Sequence, residues 1–66
     1  MAGIVSKIVE AQNFLRQKYG EEGYKKLVNA ILKKTKDNRV LIYIAMDRSL
    51  SAVVRLVAMA AIGENG

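Results

Sequence analysis

Hydrophobic positions along this chain fall into three runs. In residues 3–19 apolar side chains recur at Ile4, Ile8, Ala11, Leu15 and Tyr19, widened by Val5, Val9 and Phe14. Lys7, Glu10, Gln12, Asn13, Arg16 and Gln17 take the other positions. Spacings of three and four predict an amphipathic helix with a broad apolar face. Gly20 follows the last periodic residue and suits a left-handed C-cap. Glu21 and Glu22 sit where carboxylates favour a helix start. The period resumes at Tyr24, Leu27, Val28, Ile31 and Leu32, with Lys25, Lys26, Asn29, Lys33 and Lys36 opposite. The expectation is two helices meeting at a Gly20 corner, or one long helix kinked at Gly20 and Gly23. Residues 35–38 (TKDN) carry the clearest turn signal, because Asp and Asn tolerate turn geometry.

The third run, residues 40–62, reads VLIYIAMDRSLSAVVRLVAMAAI and covers more than a third of the chain. Asp47, Ser51 and Arg55 lie four apart, so on one helix they would form a single narrow stripe. The remaining faces would be apolar, and such a helix needs burial on nearly every side. A chain of 66 residues has a limited capacity to surround it. The VLIYI segment is also rich in strand-forming residues, and Asp47 or Ser49 would then cap a separate helix. No second strand-like stretch exists to pair with it, which favours helix throughout, ending at Gly63 before a short polar tail. The expected architecture is therefore all-α and single-domain over 1–66. It is a hairpin of amphipathic helices with a long apolar C-terminal helix, completed by packing against other copies. Small residues in residues 49–61 would allow close helix approach. Ile4, Ile8, Leu15, Leu41, Ile44, Val54, Val57, Ala58 and Ala61 are the expected self-assembly residues.

Composition narrows the chemistry. There is no Cys and no His, which excludes disulfides and the usual zinc sites. No serine-based triad or phosphate-binding glycine loop is present, and the six acidic residues are scattered. No catalytic residue, cofactor or metal is expected, and the chain does not read as an enzyme. Three charges near the middle of the apolar run argue against a membrane-spanning helix, since each costs about 2.5–3.5 kcal/mol on insertion scales. The start, MAGIVSKIVEAQ, lacks a basic n-region, so a classical secretory signal is not expected. A cationic membrane-active peptide of bacteriocin type is a further alternative. Membrane is the less favoured partner, because surface helices usually carry interfacial Trp or Phe and this chain has no Trp and one Phe.

Net charge is +5, and all of that excess lies in residues 25–39. Lys25, Lys26, Lys33, Lys34, Lys36 and Arg39 face one acid there, Asp37. Such a block suits a polyanion, and lysine ammonium groups contact phosphates as point charges. The expected partner is DNA, bound without sequence preference. Tyr19, Tyr24 and Tyr43 have a possible stacking role, with core or interface packing as the favoured use.

With apolar segments at residues 4–15 and 40–62 and a basic segment at 25–39, the layout resembles the small helical major coat proteins of filamentous, rod-shaped or bacilliform DNA viruses. The resemblance spans the chain but rests on layout, without a sequence motif. It departs from the filamentous phage pattern in its central basic segment and its non-acidic N-terminus. It implies a structural capsid protein, present in many copies, that wraps DNA in a virion or in a nucleoid-like cytoplasmic complex. The alternative DNA-binding reading is a small oligomeric transcription regulator. One form has a helix-turn-helix about Gly20. The other is a ribbon-helix-helix with Arg39, Leu41 and Tyr43 on one ribbon face.

Overall fold

The protein is all-α in a computed structural model that describes residues 3–65, with no strand among those residues. Three helices follow one another: α1 (Ile4–Lys34), α2 (Asn38–Met46) and α3 (Ala52–Asn65). The expected corner lies within α1, where Gly20 has φ 74° and ψ 171°. The positive φ matches the sequence reading, but the extended ψ replaces the left-handed cap. That quadrant is essentially open to glycine alone. The corner divides α1 into two limbs, and both reach α3. Gln12 of the first limb donates to the Ala60 carbonyl at 3.4 Å, and Tyr24 of the second donates to the Glu64 carboxylate at 2.5 Å.

The TKDN turn forms through its own side chains. Thr35 Oγ1 accepts from the Asp37 amide at 3.1 Å, and Asp37 Oδ1 accepts from the Arg39 amide at 2.9 Å. Asp37 is thus the N-cap of α2, satisfying a backbone donor that the first helical turn leaves unpaired. The VLIYI segment is helical despite its strand propensity. No partner strand is present among the described residues, and helical spacing turns Leu41 into the core.

Two corrections concern the apolar run. It does not form one long helix: residues 47–51 separate α2 from α3. Two of the side chains expected in a helical stripe, Asp47 and Ser51, instead make the break together with Ser49, while Arg55 lies within α3. Asp47 Oδ1 accepts from the Ser49 amide at 2.9 Å and from Ser49 Oγ at 2.6 Å. Ser51 Oγ then accepts from the Val54 amide at 3.2 Å, at the start of α3. Short polar side chains compete with the helix for backbone groups, and three of them close together stop it. The second correction follows from the first. Once broken, the run folds back, and its Leu41, Val57, Ala58, Ala60 and Ala61 are buried by the chain itself. α3 packs on both α1 and α2, which do not pack on each other. The core joins Leu15, Tyr24, Val28 and Ile31 of α1 to Leu41 of α2 and to Val57, Ala58, Ala60 and Ala61 of α3. The radius of gyration is 10.8 Å, equal to the about 10.8 Å expected for a folded chain of this length. A hairpin completed by neighbouring copies is not needed to bury these residues.

Nor does Gly63 end the last helix. A Cβ there would lie 2.5 Å from both Ile8 Cγ2 and Gln12 Nε2, so α3 meets the first limb of α1 closely at this glycine and any side chain would displace Ile8 and Gln12. The helix continues through Glu64 to Asn65, whose side chain donates to the Lys36 carbonyl and to Asn38 Oδ1. Among the described residues no helix is long and apolar enough to cross a membrane.

Candidate nucleic-acid interface

Burial of Tyr24, Val28 and Ile31 fixes the roll of the second limb of α1 and turns its lysines outward. Lys26, Asn29 and Lys33 follow at helical spacing along the outer side, and all three are exposed. Across the end of the helix, Lys36 joins Lys33, Asn29 and Leu32 around a shallow hollow of about 370 Å³. Lys25 lies on an adjoining hollow of about 360 Å³ that shares Asn29 and Leu32 with the first. Lys34 turns to another side. It borders an apolar groove of about 340 Å³ beside Leu27, Ile31, Ile44 and Val54. Arg39 stands beyond the turn on α2, where it grips Asp37 through Nη2–Oδ2 at 3.1 Å and Nε–Oδ1 at 3.2 Å. The fold therefore groups Lys25, Lys26, Lys33 and Lys36 on one continuous surface and sets Lys34 and Arg39 apart from it.

The acids explain why these lysines stay unneutralised. Among the described residues no carboxylate lies within ion-pair distance of Lys25, Lys26, Lys33, Lys34 or Lys36. Arg16 instead binds Glu21 at 3.2 Å and Glu64 at 3.6 Å, with its guanidinium 4.3 Å above the Tyr24 ring. Glu64 also accepts from the Tyr24 hydroxyl and, at 3.3 Å, from Gln12 Nε2. Burial first, then the hydrogen bond to Glu64 and its negative charge, push the Tyr24 hydroxyl up to about 12. Asp37 is held below the usual carboxylate range by the Arg39 side chain and then its amide. Asp47 is lowered by the Ser49 hydroxyl and then its amide. Each of these four acids thus serves a cap, a turn or a helix junction. Sequence spacing does not reveal the Gln12–Arg16–Tyr24–Glu64 cluster, and local preference puts Glu64 in a polar tail. The members of the cluster are up to 52 residues apart, and no local pattern marks them.

The expected self-assembly residues divide by burial. Leu15, Leu41, Val57, Ala58 and Ala61 are at most 5% exposed and belong to the chain's own core. Ile8 and Ile44 are half-buried. Ile4 and Val54 remain exposed, at 52% and 40%, and are free to meet a neighbour. Among the tyrosines, Tyr24 is in the core, as favoured, whereas Tyr43 is 75% exposed. The ribbon of the ribbon-helix-helix alternative is overturned: Arg39, Leu41 and Tyr43 lie on helix α2, with Leu41 buried and the other two outside.

No protein-family model, curated protein or solved structure matches this chain. Its class therefore rests on what the geometry offers: a small helical domain with an exposed and largely unpaired lysine surface.

Proposed function

We propose that the protein binds DNA without sequence preference and packages it in many copies, as the coat protein of a virion or a nucleoid-like protein would. The observation that carries this reading is the unpaired lysine surface, held on a helix whose roll the core determines. Lys33, Lys36 and Asn29 supply donors around one hollow of about 370 Å³, a fitting seat for a backbone phosphate. Lys25 and Lys26 extend the surface along α1. Ammonium groups without planar bidentate geometry neutralise phosphates rather than read base edges. Affinity then arises largely from counterion release. Copies brought together on DNA would meet through the exposed apolar side chains Ile4, Val5, Val9 and Val54.

The test is a salt titration of binding to duplex DNA, comparing the wild type with a Lys33→Ala, Lys34→Ala, Lys36→Ala variant. The slope of log affinity against log salt is expected to fall by about one unit for each phosphate that the variant no longer neutralises. An unchanged slope removes the basic segment from the mechanism. Sedimentation with plasmid separates packaging from regulation. Large salt-sensitive particles support packaging, and a discrete dimer on DNA supports a regulator.

A further inference from the structure

We propose that the outer face of α2 seats on the surface of an anionic lipid bilayer, a role independent of the DNA reading. Helix α2 buries one residue, Leu41. It leaves Val40, Tyr43 and Met46 exposed at 41%, 75% and 71%. Val40, Tyr43 and Met46 recur at helical spacing, so an apolar strip runs along the helix, starting beside the paired Arg39. Exposed cations bracket it: Lys36 precedes α2 and Arg48 follows it. Lys34 borders the groove that Ile44 of α2 also lines. The two acids at the ends of α2 are committed locally, Asp37 to Arg39 and Asp47 to Ser49.

An apolar strip between cations matches headgroups above and acyl chains below. Tyr43 would sit at headgroup depth, and the basic side chains would reach back to lipid phosphates. With no helix able to span among the described residues, α2 would lie in the surface rather than cross it. The phosphate backbone of duplex DNA offers nothing to Val40 or Met46. A symmetric contact with a second α2 would bring the exposed Lys36 and Arg48 of two copies together, setting like charges face to face.

The experiment is vesicle sedimentation with phosphatidylglycerol and, separately, phosphatidylcholine. The protein is expected to partition onto the anionic vesicles and far less onto the neutral ones. A Tyr43→Ser, Met46→Ser variant is expected to show on the order of tenfold weaker partitioning, with its DNA affinity unchanged at equal salt. No partitioning, or equal partitioning by the variant, overturns the proposal. A parallel drop in DNA affinity in that variant also overturns it, by assigning the face to DNA. So does disruption of a wild-type dimer without any lipid effect, which assigns the face to a second copy. Should the double variant fail to fold, Tyr43→Trp supplies the only tryptophan in the chain. A blue shift with anionic vesicles alone supports insertion, and an unshifted emission overturns it.

Discussion

Helices α2 and α3 come from one apolar run, yet their surroundings are opposite. α3 lies between its neighbours, and Val57, Ala58, Ala60 and Ala61 are at most 5% exposed. α2 lies at the edge, packs on α3 alone, and holds the fold through Leu41. Its side chains are as apolar as those of α3, but Tyr43 and Met46 face outward. Hydrophobicity therefore does not distinguish the two helices; residue size and the number of neighbours do. The alanines of α3 let helices close in from two sides. The bulkier residues of α2 are accommodated on one side, and Tyr43 and Met46 stay exposed.

The contrast is broken most severely at Leu41. It is fully buried, and Leu41→Ala is expected to cost about 2–5 kcal/mol. The nine-residue α2 is too short to persist undocked. Thermal unfolding followed by circular dichroism should show both a lower midpoint and reduced native helicity. An undiminished midpoint would mean that α2 is held by something other than its buried side chain. Next comes α3, where Ala58 is fully enclosed. Ala58→Leu overfills that seam at a cost of about 1–3 kcal/mol. The destabilisation should appear in chemical denaturation of dilute protein, because the crowding is within one chain. A destabilisation that depends on protein concentration would return Ala58 to an interface between copies.

A smaller effect separates the α1–α3 junction from both. The Tyr24 hydroxyl is pushed up to about 12 from its ordinary 10.0. A raised pKa means that the folded state holds the proton more tightly than the unfolded state. The resulting stabilisation is complete below about pH 10 and is lost as pH rises through about 12. Denaturation of wild type and Tyr24→Phe, compared at pH 8 and pH 11.5, should show the difference between them shrinking at the higher pH. A constant difference would mean that the hydroxyl does not titrate with folding. The smallest effect on stability is expected from Tyr43→Ser with Met46→Ser, within about 0.5 kcal/mol per exposed site. Their consequence should appear in lipid partitioning alone.

Much of this architecture is legible along the chain. The all-helical class, the corner at Gly20, the TKDN turn and the buried face of Tyr24, Val28 and Ile31 all follow from period and local chemistry. The lysine positions are equally legible, since an amphipathic period that buries one face exposes the other. What period cannot supply is the choice between a polar stripe and a break. Asp47 and Ser51 serve either use, and the break prevails because the Asp47 amide donates to the Ile44 carbonyl at the end of α2, Ser51 Oγ accepts from the Val54 amide at the start of α3, and α3 is free to fold back. Gly63 and Glu64 differ from expectation for a similar reason. Gly63 is a terminator by local preference, but here it lies where α1 and α3 touch, and the helix carries on to bring Glu64 to Arg16.

By itself, the sequence determined the all-helical class, where the charge excess lies, and that disulfides and histidine or cysteine chemistry are absent, because composition and backbone preference are local properties. The tertiary structure alone decided that the α3 part of the apolar run is enclosed by the chain itself, that Arg16 pairs with Glu21 and Glu64, and that Tyr43 and Met46 stay outside. Those outcomes depend on which surfaces meet, and surfaces meet through contacts between residues far apart in the chain.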